Sequence, residues 1–185
     1  PRAPGGGGRG GLRICGGGGR GRRLPIPELP GLRPTADRVR ETLFNWLAPV
    51  LPGARCLDLF AGTGALGLEA VSRGAGQVVL IERNPVAARQ LQANCLTLGV
   101  PDVRVIQADA LTWLAGTPTP FDLVFLDPPF ADDLLAPSCA LLANRGWVSP
   151  GARVYLETAQ RLGLPRLPDG WELLRERTAG QVRFG

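Results

Sequence analysis

The chain has 185 residues, 44% of them hydrophobic, and a net charge of +5, which suits one globular domain with a short basic appendage. There is no histidine, and the four cysteines (Cys15, Cys56, Cys95 and Cys139) form no C-x-x-C pair, so we expect no metal site, no disulfide and no histidine-dependent nucleophilic catalysis. The chain lacks an apolar run of about 20 residues and the residue order of a signal peptide, so we expect a cytoplasmic protein that does not contact a membrane.

The positive charge is concentrated in an N-terminal arm, residues 1–30. Residues 1–23 contain six arginines and no acidic residue, whereas the other 15 arginines nearly balance the 16 acidic residues. Such an arm is typical of polyanion-binding proteins, and a glycine-rich solubilising tail is an equally good explanation. We expect residues 1–11 to be disordered and residues 12–27 to form a hairpin. Because glycines separate its two strands, the pattern gives little support for a rigidly docked arm.

The rest of the chain, residues 31–185, is predicted to alternate between helices and strands. Apolar residues recur at helical spacing over residues 35–50, which predicts an amphipathic helix. Nearly all-apolar runs predict strands at 55–60, 77–82, 103–107, 121–126 and 152–158, and the segments between them predict helices at 65–72, 85–98, 111–114 and within 132–144. This order predicts a doubly wound α/β fold with a mostly parallel sheet, followed by an antiparallel strand pair at 171–178 and 181–184. Ligands of such folds bind at the carboxyl ends of the strands.

A glycine-rich loop follows the first strand of this sheet. The sequence LDLFAGTGALG, residues 57–67, contains glycines that let the backbone turn tightly and approach a ligand. Glu82 follows about 20 residues after the loop, a spacing at which a carboxylate can hold both hydroxyls of a ribose. This combination predicts a nucleoside-containing cofactor. The glycine pattern alone also fits a dinucleotide-binding oxidoreductase.

Asp109, directly after the third strand, has two explanations. Its carboxylate could accept a hydrogen bond from the amino group of a buried adenine. It could equally cap the short helix that follows it.

The sequence FDLVFLDPPF, residues 121–130, ends a buried strand with Asp127, Pro128, Pro129 and Phe130, which we predict to be the catalytic residues. The prolines remove two amide donors and leave a rim rich in acceptors. The Asp127 carboxylate and the Pro128 carbonyl can accept both protons of a planar aromatic amine, which turns its lone pair toward a methyl sulfonium while Phe130 stacks on the base. A proline-rich turn with a core phenylalanine is the alternative.

These motifs resemble those of class I methyltransferases, and more narrowly those of RsmD, the bacterial 16S ribosomal RNA guanine-N2 methyltransferase family. The narrow resemblance rests on GLRPTADRVRETLFNWL (residues 31–47), AGTGALGLEA (61–70) and AGQV (179–182). It implies S-adenosylmethionine as the cofactor and 16S ribosomal RNA, or a small ribosomal subunit particle, as the partner of a monomeric enzyme. It also implies that residues 33–38 close over the methionine end of the cofactor, near a helix N-terminus that favours the carboxylate. The expected cofactor-binding residues are Arg33, Thr35, Arg38, Asp58, Phe60, Ala61, Gly62, Gly64, Glu82, Arg83, Asp109, Ala110 and Asp127.

The expected reaction is direct methyl transfer to the exocyclic N2 of a guanine that has swung out of its stack, with the basic arm holding phosphates. Two other functions remain open at this stage. The acceptor rim would suit the amino group of adenine or cytosine in DNA, and a relic of the fold could bind RNA without catalysing transfer.

Overall fold

The computed structural model describes residues 11–30, 32, 36–129, 133–180 and 182–185. The helices are α1 (Asp37–Leu47), α2 (Ala65–Ser72), α3 (Pro85–Leu98), α4 (Ala110–Leu114) and α5 (Leu135–Asn144). The strands are β1 (Leu12–Arg13), β2 (Arg23–Leu24), β3 (Arg55–Asp58), β4 (Gln77–Glu82), β5 (Val103–Gln107), β6 (Phe121–Leu126), β7 (Val148–Ala159), β8 (Arg177–Ala179) and β9 (Val182–Phe184). No helix in this described part is long and apolar enough to cross a membrane.

The main sheet has the strand order β5-β4-β3-β6-β7-β9-β8. Strands β3 to β7 are parallel, and β9 is antiparallel to both β7 and β8. The side chains of α1, α2 and α3 pack on one face of the sheet, and those of α4 and α5 pack on the other. The doubly wound, mostly parallel sheet and the antiparallel C-terminal pair predicted from the sequence are therefore confirmed.

The two largest differences from the sequence-based boundaries are at the start of β7 and the start of β8. Strand β7 begins at Val148, where it pairs with Phe121, and a register shift then absorbs Pro150 and Gly151 before pairing resumes at Arg153. A β-bulge allows a strand to continue through residues that normally end one, and this explains the early start. The predicted strand at 171–178 was largely wrong, because strand β8 begins only at Arg177 and the preceding residues pair with no strand.

The N-terminal residues described here form the hairpin β1–β2, which is packed against the body of the protein. Leu12, Ile14 and Leu24 are buried in the same core as α1 and α2. Close approach depends on Gly17, because a β-carbon there would lie 1.8 Å from the carbonyl oxygen of Ser72 at the end of α2. Gly17, one of the glycines that made the hairpin pattern weak in sequence, thus lies where the hairpin backbone meets a helix.

Candidate active site

The carboxyl ends of β3, β4 and β6 meet at one edge of the sheet, where Asp58, Glu82 and Asp127 lie. Strand β3 lies at the switch point of the topology. The chain passes from β3 to β4 and β5 on one side of it, and then crosses back to β6 on its other side. In open α/β sheets the crevice outside such a switch point is the usual ligand site. The topology therefore brings these three sequence-predicted site residues to the edge where a ligand is expected.

The loop between β3 and α2 is held by hydrogen bonds to its neighbours. The amide of Ala61 donates to the carbonyl of Ile81 at 2.9 Å, and the amide of Gly64 donates to the carbonyl of Ala61 at 2.7 Å. Gly64, with a φ of 83°, directly precedes helix α2. A loop fixed in this way presents its backbone at the crevice without having to order itself when a ligand binds.

Glu82 joins this loop to the end of β4. Its Oε2 accepts a hydrogen bond from the Gly62 amide at 2.7 Å, and its Oε1 accepts one from the Asn84 amide at 3.0 Å. Each carboxylate oxygen has more than one lone pair, so both can still accept a hydroxyl donor. The two backbone bonds fix the orientation of the carboxylate, as a bidentate ribose ligand requires.

Asp58 lies beneath the glycine loop and is only 2% exposed. Its Oδ2 accepts a hydrogen bond from the Gly67 amide at 3.0 Å. Burial raises the pKa of this carboxyl to about 7, a shift that the Gly67 hydrogen bond opposes and the nearby charge of Glu82 increases. The structure therefore shows Asp58 supporting the start of α2, and its contact with a cofactor stays a prediction.

The remaining predicted cofactor residues are distributed around the same edge. Asp109 caps α4, because its Oδ2 accepts from the Thr112 amide at 3.1 Å and from the Thr112 hydroxyl at 3.0 Å. This is the local role that the sequence left open, and the capping carboxylate also lies at the end of the strand next to Glu82. Arg38 and Arg83 are exposed, Phe60 is half-buried, and Ala61 and Ala110 are buried. Arg33, Thr35 and Phe130 lie outside the described residues.

The predicted amine site begins at Asp127, directly after the last residue of β6. Asp127 is half-buried, Pro128 is buried and Pro129 is exposed, so the segment passes from the core to the surface within three residues. Strand β6 lies between β3 and β7, and the motif therefore stands one strand away from the end of β3. This position agrees with the predicted amine site, and a proline-rich turn after β6 would occupy the same edge, so the role of the segment stays a prediction.

Sequence reasoning missed a buried polar pair on the neighbouring strand β7. The hydroxyl of Tyr155 donates a hydrogen bond to Oε1 of Glu157 at 3.0 Å, and both residues are buried. Burial, with the nearby charges of Glu157 and Asp127, raises the pKa of Tyr155 well above its ordinary value. One signal was available, because Glu157, like Asp58 and Glu82, is an acidic residue near the carboxyl end of a parallel strand.

Nothing among the described residues resembles a metal centre, since no group of three or more histidine, cysteine or carboxylate side chains could hold an ion. The four cysteines are all free thiols.

Comparison with known proteins gives consistent matches over nearly the whole chain. The family model described as Conserved hypothetical protein 95 matches residues 12–185. The chain is 51% identical over 177 residues to ribosomal RNA small subunit methyltransferase D of Escherichia coli strain K12, covering 96% of this chain and 89% of the relative. It is 43% identical over 180 residues to the protein of the same name from Haemophilus influenzae, covering 95% and 93% of the two chains. The solved structure of yhhF from Escherichia coli is similar with a TM-score of 0.89 and 48% identity, covering 95% and 96%.

Proposed function

This chain belongs to the family of Conserved hypothetical protein 95, the RsmD family of ribosomal RNA methyltransferases, and we propose that it methylates the exocyclic N2 of a guanine in small-subunit ribosomal RNA with S-adenosylmethionine as the methyl donor. It is a methyltransferase, so the dinucleotide-dependent oxidoreductase considered from the glycine pattern is not retained. The observation that carries the proposal is the position of Asp127 at the edge where the glycine loop and Glu82 also lie.

The residues present suit S-adenosylmethionine. The Glu82 carboxylate, fixed by the Gly62 and Asn84 amides, has the free lone pairs needed for two ribose hydroxyls. The Asp109 carboxylate, already oriented as a helix cap, can accept from the adenine amino group. S-Adenosylmethionine supplies an electrophilic methyl group on a positively charged sulfur, and the carboxylates of this crevice favour that charge.

Asp127 and Pro128 are assigned to the amine itself. The lone pair of an exocyclic amine is delocalised into the base, so the nitrogen is a poor nucleophile in its ground state. Acceptance of its two N–H groups by the Asp127 carboxylate and the Pro128 carbonyl would hold the nitrogen in one orientation and stabilise the positive charge that develops on it. In this proposal Asp127 would also receive the proton that the amine loses after transfer.

The hairpin gives this enzyme a basic surface beyond the crevice. Arg20 and Arg23 are exposed on it, and Arg22 donates a hydrogen bond to the carbonyl of Thr97 on α3. Exposed guanidinium groups bind phosphates through charge and planar hydrogen bonding. We assign the hairpin to the RNA backbone rather than to the target base.

The experiment that tests the proposal compares Asp127→Asn with wild type in a radiolabelled methyl-transfer assay on small-subunit ribosomal RNA. We expect Asp127→Asn to lower kcat by at least about 100-fold, because the amide loses the negative charge opposite the developing cation. The matched control is Asp122→Asn, at the other end of the same strand, where the carboxylate accepts from the Arg55 amide and the Ser149 hydroxyl. We expect this control to keep its transfer rate.

Mass spectrometry of the nucleosides after the reaction identifies the product. N2-methylguanosine after the reaction with RNA supports the proposal. N6-methyl-2′-deoxyadenosine or N4-methyl-2′-deoxycytidine after a parallel reaction with DNA would favour the alternative of an enzyme that methylates adenine or cytosine in DNA. Full transfer by Asp127→Asn would remove Asp127 from the amine site. An absence of transfer by wild type to both free RNA and small-subunit particles would favour the non-catalytic alternative.

A further inference from the structure

Glu157 of β7 lies beside Asp127 on the edge where the base is expected. The parallel ladder pairs Phe125 with Tyr155 and Leu126 with Leu156, so the next residues along it are Asp127 and Glu157. Side chains two residues apart in a strand point to the same face, and neighbouring strands are about 4.8 Å apart. Asp127 and Glu157 therefore occupy adjacent positions on the sheet face that carries Phe125 and Tyr155.

The Glu157 side chain is buried and is oriented by a hydrogen bond. It is 4% exposed, and its Oε1 accepts the Tyr155 hydroxyl at 3.0 Å. The ring of Tyr155 packs against the rings of Phe125 and Phe184, at centroid distances of 6.5 and 6.2 Å. Each carboxylate oxygen has more than one lone pair, so the carboxylate that Tyr155 orients can accept a further donor.

We propose that Glu157 accepts a hydrogen bond from the ring N1–H of the target guanine and so selects guanine over other bases that carry an amine. This inference rests on the proposed function and deepens it. Guanine presents two neighbouring donors on one edge, the N1–H and the N2 amine, and two neighbouring carboxylates match that pattern. An ionised carboxylate is an acceptor only.

The same geometry rejects the alternatives left open by the acceptor rim around Asp127. Adenine and cytosine each carry an acceptor ring nitrogen next to their exocyclic amine, and this nitrogen would face the Glu157 carboxylate. Two acceptors brought together in a buried site leave both groups unpaired, which strongly disfavours the wrong base. Asp127 would orient the amine of any of the three bases, whereas Glu157 would discriminate among them.

The test uses 2-aminopurine, which keeps the exocyclic amine of guanine but has an acceptor at ring nitrogen N1. RNA fragments carrying guanine or 2-aminopurine at the mapped target position are compared by kcat/KM with wild type and with Glu157→Gln. We expect wild type to prefer guanine by at least about tenfold. The glutamine can offer its carbonyl to N1–H or its NH2 to the bare nitrogen, so we expect the preference ratio to fall at least about tenfold in the variant.

The change of the ratio between variants is decisive, because 2-aminopurine also lacks the O6 of guanine and that loss affects both proteins. Glu172→Gln, an exposed glutamate in the segment after β7, is the matched control and is expected to keep the wild-type ratio. A purely structural role for Glu157 would lower kcat/KM for both bases equally. An unchanged ratio in Glu157→Gln would therefore overturn the proposal.

If Glu157→Gln fails to fold, a series of substrate bases tested with the wild-type protein still tests the role of Glu157. 6-Thioguanine keeps N1–H and the amine but alters the O6 position, so we expect its transfer rate to remain close to that of guanine while 2-aminopurine is rejected. Equal rates with guanine and 2-aminopurine would contradict the role of Glu157 alone. No transfer to guanine-containing RNA would instead contradict the proposed function.

Discussion

The carboxyl group of Asp58 couples the stability of the glycine loop to pH. Its pKa is about 7 in the folded protein and 3.8 in the unfolded chain, because burial disfavours the charged form. The folded state therefore keeps a proton that the unfolded chain has released. This contribution to stability is fully present below pH 3.8 and is lost as the pH rises toward 7.

We predict that Asp58→Asn removes this pH dependence. The asparagine can still accept the hydrogen bond from the Gly67 amide, but it does not titrate. The free energy of unfolding of wild type, relative to the variant, should fall by about 1.4 kcal/mol for each pH unit across the window between the two pKa values. Urea unfolding of both proteins at a series of pH values measures the difference, and a constant difference would show that folding does not raise the pKa of Asp58.

Glu82 gives a second prediction at this scale. We expect Glu82→Gln to raise the Kd for S-adenosylmethionine by at least about tenfold, because the ribose hydroxyls lose hydrogen bonds to a charged acceptor. The kcat at saturating cofactor should change much less, since Glu82 does not contact the amine. Isothermal titration calorimetry measures the Kd, with Asp102→Asn, an exposed residue before β5, as the control. An unchanged Kd would exclude Glu82 from the cofactor site.

Residues with a local sequence signature were predictable, and residues defined by tertiary contacts were not. Glu82 and Asp127 follow apolar runs at fixed distances from the glycine loop, so their place at the sheet edge follows from the strand pattern. Glu157 also ends an apolar run. Its proposed role, however, depends on the hydrogen bond from the Tyr155 hydroxyl and on the register with Asp127, which the sequence does not specify. The cap formed by Asp109 was one of two explanations that the pattern alone could not separate.

The hairpin β1–β2 is fixed to the body through Glu69 of helix α2, a residue with 0% exposure. Its Oε1 and Oε2 accept the amides of Cys15 and Gly16 at 2.8 and 2.9 Å. The guanidinium of Arg73 donates to Oε2 at 2.9 Å, and that of Arg40 lies 3.6 Å from Oε1. One buried carboxylate thus joins a helix, a hairpin turn and two cations.

We predict that Glu69→Ala lowers the free energy of unfolding by about 3–5 kcal/mol, because it removes the buried anion beside Arg40, which retains its ion pair with Asp37, and leaves the amides of Cys15 and Gly16 without their acceptor. The amides of the hairpin should lose protection from hydrogen exchange before those of the rest of the protein. Hydrogen exchange at the Ile14 and Gly21 amides, which are bonded across the hairpin, reports this directly. Glu41→Ala, an exposed substitution on α1, is the control. Retained protection at both amides would mean that apolar burial alone holds the hairpin.

The elements themselves were predicted best where apolar runs are long and buried on both faces. Strands β4 and β6 match their predicted bounds because both faces of the central sheet are covered by helices. Residues 171–176 were misread because Leu173 and Leu174 are apolar yet exposed, and a propensity pattern does not reveal which strand, if any, a segment pairs with.

At the scale of the whole molecule, the charge of +5 comes from the N-terminal arm, and the structure attaches the described part of that arm to α2 and α3. The hairpin therefore extends the basic surface along the helices as a fixed element. Because the hairpin contacts Ser72 and Thr97 at the C-terminal ends of α2 and α3, away from the carboxyl edge of the sheet, we expect an RNA that places a base at that edge to reach the hairpin by running along these helices. Binding by a preformed basic surface requires little ordering of the protein and remains sensitive to salt.

We predict that the double substitution Arg20→Gln and Arg23→Gln weakens RNA binding and reduces its salt dependence. Each phosphate contact with a single strand contributes about 0.7 to the slope of log K against log salt, so the loss of two contacts should lower the slope by about 1.4. The control is Arg104→Gln with Arg153→Gln, which removes the same charge from exposed positions on β5 and β7. Fluorescence anisotropy with a small-subunit RNA fragment over a salt series measures both slopes. Equal reductions in the two double variants would show that net charge, rather than the placement of arginines on the hairpin, governs binding.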